Sequence, residues 1–399
     1  MIRPGNRLTL LENGAQYFPA LIAVMDAARH EIHLESYLFA ADASGREVAA
    51  SLIRAARRGV VTRLLLDGFG SRGLAPELLK SLRGAGVEVL FYRPGYGFLR
   101  PRRSRLRRMH RKLAVVDARI GFVGGLNVTE DLNGRNPAAP REDFAVEVRG
   151  PLVADIHAAV RRLWLLLEWS RMGLRRGEDT WIKADTRAVG EQRAELLTRD
   201  TLHRRRAIER AYLKAIGHAR EEILIANAYF LPGRRFRQAL AEAARRGVRV
   251  ILVMQGHTDH RLYHAACRAL YRFFLENGME VYEYHVGELH AKAAVVDGHW
   301  ATVGSSNIDP FSLLLAREAN LVSYDPAFAR ALRERILLAR DRGAHRIHHQ
   351  AWHSISWAQR FSSWLAYGLV RGLMGMAGYA GAYEGARHPS RAKPEPPAL

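Results

Sequence analysis

Short apolar runs alternate with amphipathic stretches along this chain, the pattern of strands and helices in turn. Leu8–Arg29 carries Tyr17, Leu21, Ile22 and Met25 at helical spacing and predicts a helix. Glu31–Phe39 predicts a strand, Glu47–Arg58 a helix closed by Gly59, and Val60–Leu66 a strand. A helix follows at about Pro76–Arg83, then strands at Val87–Tyr92 and at the β-prone, apolar Leu113–Val116. The order then repeats, with a helix over Leu202–Ala219, a strand over Glu222–Ala228 and a helix over Arg235–Arg246. Ala55-Ala56-Arg57-Arg58-Gly59-Val60 returns letter for letter at Ala243–Val248, and Gly86-Val87-Glu88-Val89 is echoed by Gly278-Met279-Glu280-Val281. Offsets of 180 to 192 residues mark a duplication rather than a solenoid. Alternating elements predict a layered α/β fold. The expected divisions are a first half 1–175, a linker 176–195, a second half 196–345 and a tail 346–399. Pro151–Arg175 reads as a helix whose Trp164–Trp169 cluster serves core or inter-half packing, with a membrane-facing ridge as the other reading.

Polar residues at the strand ends supply the chemistry. The run after Met109 reads His110-x-Lys112-x4-Asp117, then Gly124-Gly125-x-Asn127. It recurs as His290-x-Lys292-x4-Asp297, then Gly304-Ser305-x-Asn307. Side chains two apart on a strand share a face, so each His and Lys point the same way, roughly 6–7 Å apart. An imidazole can attack phosphorus or carry a proton, and an ammonium beside it can hold a phosphate oxygen. One such spacing arises by chance in about one chain in a hundred, so two are not noise. Only six of the 61 basic residues are lysine, yet two of the six follow a histidine by two positions. A compact point charge is therefore expected there rather than a planar fork. One His and one Lys per half place a single site at the junction of two halves packed face to face about a pseudo-twofold.

Composition narrows the picture. The 399 residues, 48% hydrophobic, suffice for two ordinary cores. A lone cysteine, Cys267, forms no internal disulfide and fits a reducing compartment. Residues 1–30 lack the order of a signal peptide, and no run of about 20 uncharged apolar residues predicts a membrane span. A net charge of +21 calls for a polyanion, either an anionic membrane or nucleic acid. Arginines at 100, 102, 103, 105, 107 and 108 lead into His110, as a solvated loop or as a collar drawing anionic head groups to the site. His285, His299, His345, His348 and His349 lack a carboxylate or cysteine spacing that completes a metal site, so no metal and no cofactor are expected.

The doubled motif resembles that of the phospholipase D superfamily, and the chain is most similar to its bacterial cardiolipin synthases, the form called B in particular. LLENGAQYFPAL, MHRKLAVVDARIGFVGGLN, IANAYFLPGRRF, AARRGV and HWATVGSSNIDPFSL carry the resemblance, which extends to about residue 345. It implies two similar αβαβα-type sandwich halves packed as a pseudo-twofold dimer, with the active site at their junction. It also implies a catalytic set of His110, Lys112, Asp117, His290, Lys292 and Asp297. His110 would be the nucleophile and His290 the acid/base, the near symmetry leaving the reverse open. Lys112, Asn127, Lys292, Asn307 and Ser305 would bind phosphate. Asp143 and Glu318 match the acids that fix each histidine's tautomer. Asp117 and Asp297, at the strand ends, are expected to orient loops rather than touch substrate. Gly125 stands where the second motif has Ser305, so one side lacks a hydroxyl donor.

Three readings follow. The first is a phosphatidyltransferase, the resemblance implying two phosphatidylglycerols giving cardiolipin and glycerol through a phosphohistidine. The second is a phosphodiesterase using water. The third, a non-catalytic membrane-binding protein, is disfavoured by two intact His/Lys pairs. Beyond Ala351, Trp357, Phe361, Trp364, Leu365, Leu369, Leu373 and Met376 fall near helical spacing, with Arg371 alone breaking the uncharged run from Phe361 to Tyr383. They predict an amphipathic segment lying in a membrane interface, peripheral on the cytoplasmic face, with a disordered end; the other readings are a helix packed on the protein's own surface and a membrane span. This tail favours lipid over nucleic acid as partner; nothing in the sequence sets an oligomeric state.

Overall fold

The computed structural model describes residues 1–93, 107–133, 139–172, 181–200, 204–257, 261–309, 312, 316–349, 365–369 and 372. The first half supplies β1 (Arg3–Glu12), β2 (Glu31–Ser36), β3 (Val61–Asp67), β4 (Glu88–Tyr92), β5 (Arg108–Met109), β6 (Lys112–Val116), β7 (Ile120–Gly124) and β8 (Phe144–Arg149). The second supplies β9 (Gln192–Arg199), β10 (Glu222–Asn227), β11 (Arg249–Gln255), β12 (Glu280–Tyr284), β13 (Lys292–Val296), β14 (Trp300–Gly304), β15 (Ala316–Ser323) and β16 (Ala344–Ile347). The strands run in the order β16-β12-β11-β10-β13-β14-β15-β9-β1-β8-β7-β6-β2-β3-β4, with β5 beside β15. β2, β3 and β4 are parallel, as are β10, β11 and β12. Reading outward from the β1–β9 seam, the two halves have the same strand order.

The halves meet in two ways. At the seam β1 pairs antiparallel with β9, an edge junction that the face-to-face expectation lacked. Elsewhere the two sheets do face each other. Leu113, Val115, Val123 and Val146 of one share a buried cluster with Ala293, Val295, Val303 and Leu321 of the other. Helices Val153–Met172 and Pro326–Gly343 send Ile156, Val160, Phe328, Leu332 and Ile336 into that same interior. Two further cores lie on the outer faces, under helices Asn13–Asp26 and Ala43–Arg57 on one side and Ala207–His218 and Arg234–Arg245 on the other.

Local chemistry sets these boundaries. Asp42 caps helix Ala43–Arg57 by accepting from Gly45 N–H at 2.9 Å, and Asp325 caps Pro326–Gly343 through Phe328 N–H at 2.8 Å. The repeated AARRGV does the same work twice. Arg58 donates to the carbonyls of Met25 and Ala28, and Arg246 to those of Ile216 and Ala219, each closing the helix before it. The helix expected from Leu8 begins at Asn13, because Leu8–Glu12 completes β1 against β8 and Asn13 takes φ +58°. The expected linker contains the start of β9 and a packed Trp181, whose ring stacks on His33 at 4.0 Å. In the Trp164 cluster, Trp164 is buried, whereas Leu165, Leu166 and Trp169 face outward. The arginine loop before Arg107 and most of the tail lie outside the described residues. Of the tail, residues 365–369 are helical, and Ala366 and Tyr367 pack on the second half's outer core.

Candidate active site

Each catalytic-type histidine sits where one half's chain crosses onto the other half's sheet. β5 pairs with the start of β15, and His110 N–H donates to Arg317 O at 2.9 Å. Leu289 bridges Glu142, and His290 N–H donates to Glu142 O at 2.8 Å. The preceding residues are pinned alike: Met109 N–H donates to Asp67 at the end of β3, and Leu289 N–H to Gln255 at the end of β11. Asp67 and Gln255 were missed in sequence, since nothing local distinguishes a strand-end polar residue that anchors a distant loop.

The acids are exchanged between halves. His110 Nδ1 lies 3.1 and 3.2 Å from the Glu318 oxygens and 3.2 Å from Ser305 O. His290 Nδ1 lies 2.5 Å from Asp143 Oδ2. The two imidazoles keep 18% and 17% exposure, while Glu318 and Asp143 are shut away at 0% and 1%. Lys112 Nζ donates to His110 O at 2.7 Å, and Lys292 Nζ to His290 O. Both lysines are buried, and burial lowers Lys112 to about 7 and Lys292 to about 8, with Lys292 across the junction adding to the fall at Lys112. Burial lifts Asp143 to about 6 against the pull of Lys292. Burial, with Lys292, Arg141 and Lys112 nearby, holds the His290 imidazolium well below the usual histidine range. Residues of both halves thus share one electrostatic cluster. Tyr37 meets the His110 ring edge-on at 4.9 Å, a neighbour that strand periodicity did not single out.

Not every expected residue reaches the cluster. Asp117 accepts from the N–H groups of Arg29, His30 and Glu31, and Asp297 from those of Arg220, Glu221 and Glu222. They lie at the far ends of β6 and β13, seven residues or roughly 23 Å along the strand from the histidines at 3.3 Å per residue. Listing them in a catalytic set is therefore corrected to a loop-orienting role. Ser305 is corrected too: its fully buried hydroxyl donates to Glu318 Oε2 at 2.5 Å and accepts from Ala319 N–H. It steadies the acid rather than facing phosphate. A Cβ on Gly125 would lie 2.3 Å from Asp143 Oδ1, so the first motif has room only for glycine. Gly125→Ala should displace Asp143 and cut turnover roughly 100-fold, as misplacement of about 1 Å does; unchanged initial rates would contradict this. Asn127 Oδ1 accepts from Leu38 N–H at 3.3 Å, and Asn307 is buried with an Oδ1 that finds no partner among the described residues.

The histidines considered for metal are scattered. His285 contacts His257 at 2.9 Å and stacks on His345, while His299 bonds the Asp297 carbonyl in a turn. Among the described residues the metal-type cluster is a different one, Glu31, His33 and His157, all buried. His157 Nε2 lies 2.6 Å from Glu31, the second half using Arg333 on Glu222 in the equivalent place. That equivalence makes it an ion-pair joint between sheet and helix.

A family model described as "Cardiolipin synthase, PLD-like domain" matches residues 21–164 and 212–337. The chain is 39% identical to cardiolipin synthase B of Escherichia coli K12, over 99% of this chain and 94% of that protein. It is 32% identical to the major cardiolipin synthase of Bacillus subtilis, over 82% and 67% respectively. Its fold matches phosphatidylserine synthase of Haemophilus influenzae with a TM-score of 0.65 at 12% identity, covering 93% of each chain.

Proposed function

Because this chain belongs to the family of PLD-like cardiolipin synthases, we propose that it transfers a phosphatidyl group, making cardiolipin and glycerol from two phosphatidylglycerols. The crossed pairs His110–Glu318 and His290–Asp143 carry the reading. The Ser305 carbonyl can only accept, so the neutral His110 ring carries its proton on Nδ1 and its lone pair on Nε2. Nε2 attacks phosphorus, the bond from phosphorus to the glycerol oxygen breaks, and His290 gives the leaving oxygen its proton. His290 then takes the proton of a second phosphatidylglycerol's hydroxyl as that oxygen displaces His110. A bound phosphodiester supplies the negative charge that returns the shared proton from Asp143 to His290. Lys112, Lys292, Asn127 and Asn307 hold the non-bridging oxygens as charge builds. The +21 charge and the outward Leu165, Leu166 and Trp169 support peripheral attachment to an anionic membrane, on its cytoplasmic face. Among the described residues no helix is long and apolar enough to cross one.

Labelled phosphatidylglycerol in mixed micelles should yield cardiolipin and glycerol, with and without chelator. Phosphatidic acid as the sole product would make the protein a hydrolase instead. Acid quench and peptide mapping should find the phosphoryl group on His110; its appearance on His290 would reverse the roles. The lysines add a pH dependence. A lysine loses its charge above its pKa, and kcat/KM reports the free enzyme. With Lys112 at about 7 and Lys292 at about 8, kcat/KM should fall as pH rises through that window. A profile flat to about pH 9 would instead mean that both lysines keep their charge there, near the ordinary value of about 10.4.

A further inference from the structure

On the far side of the His110 strand lies a second chamber. It measures about 760 Å³, and none of the histidines, lysines or acids of the catalytic cluster lines it. Strand alternation explains its position. His110 and Glu318 face the cluster, so the neighbouring Arg111 and Arg317 face the opposite way, into this cavity. Arg162, Arg199 and Arg204 add three further cations to its lining. Arg111 is held by Glu35 and by Ala159 O, and Arg317 Nε donates to Tyr92 Oη at 3.3 Å, so both guanidiniums are fixed in place. The acids that line it are fewer, and one of them, Asp155, is engaged by Arg3 at 2.8 and 3.0 Å. Leu163, Leu166, Trp169 and Leu196 give it an apolar part. Trp169 is 65% exposed and Leu166 46%, so the apolar part continues to the surface.

The duplication provides an internal comparison. The residue equivalent to Arg111 is Ala291, fully buried in the shared core with Tyr284 and Leu289. Arg317 corresponds to Glu142, also buried. Where Arg111 and Arg317 line a cavity, their counterparts are a buried alanine and a buried glutamate.

We propose that this cavity binds the phosphate of an anionic phospholipid, separately from the reacting phosphodiester, with an acyl chain along Leu163–Trp169. Arginine suits phosphate by its planar fork. The exposed Trp and Leu at the mouth commit the ligand to one drawn from a bilayer, since free phosphate has no use for an apolar lining. The backbone bond from His110 N–H to Arg317 O ties the chamber to the catalytic pair. The choice of lipid rests on the proposed reaction, but the test needs no turnover.

Full-length protein would be irradiated with a short-chain phosphatidic acid bearing a diazirine on one acyl chain, and labelled peptides mapped by mass. The expected result is saturable labelling within Leu163–Trp169, cut about tenfold by Arg162→Glu with Arg204→Glu, the scale of one lost charge-assisted hydrogen bond. The milder Arg162→Gln with Arg204→Gln should give an intermediate loss if the reversal destabilises the fold. A matching diazirine diacylglycerol, which lacks phosphate, should label there weakly in every form. Label confined to peptides carrying His110 or His290, or unaffected by either pair of substitutions, overturns the proposal. So does displacement of the lipid by inorganic phosphate at equal concentration, which would make it a free-anion site.

Discussion

Replacing His110 or His290 with alanine should each lower phosphatidyl transfer by about 10³-fold or more, the scale of losing a nucleophile or a positioned acid. Neither half holds a substitute. Each contributes one imidazole and one lysine to a cluster closed only by the other's acid. The fold should survive, because the rings are the partly exposed members of the cluster and the bonds to Arg317 O and Glu142 O come from the backbone. Initial rates alongside thermal melting would check this. Retention of more than about a tenth of the rate by either variant, with an unchanged melt, would refute a shared two-histidine site.

The second large effect follows from the exchange of acids. Asp143→Asn removes the carboxylate on His290 Nδ1 and should cost roughly 10²–10⁴-fold, the range seen when an orienting acid is lost from a catalytic histidine. Glu318→Gln should cost less, since the Ser305 carbonyl still holds the proton on His110 Nδ1. The crossing is tested directly with ¹⁵N-histidine spectra. Asp143→Asn, a change in the first half, should perturb the ring of His290 in the second and leave that of His110 in place. The opposite pattern would mean that each half serves its own histidine.

What could be read in sequence was what local physics controls. Leu113–Val116 and Ala293–Val296 are apolar throughout because both faces are buried, and such runs announce themselves. β1 and β9 bury alternate residues only. The end of one therefore merged with the following helix and the start of the other with a polar linker, although together they form the seam. The site residues were legible as a list because their spacing repeats. Their pairing was not, since Asp143 and Glu318 reach the histidines across a junction that no local pattern encodes. The same holds for Ser305, whose hydroxyl has a purpose only once Glu318 lies beside it.

The exchange of acids between the halves also bears on the direction of the reaction. With His290, held by Asp143, acting as acid to the leaving alcohol and base to the entering one, both alcohols meet nearly the same surroundings. Under the proposed chemistry both alcohols are glycerol hydroxyls, so little in the protein favours one direction. Microscopic reversibility then makes the same two imidazoles competent to cleave cardiolipin with glycerol. Net flux would be governed by mass action, with removal of glycerol drawing the lipid pool toward cardiolipin and its accumulation returning it to phosphatidylglycerol.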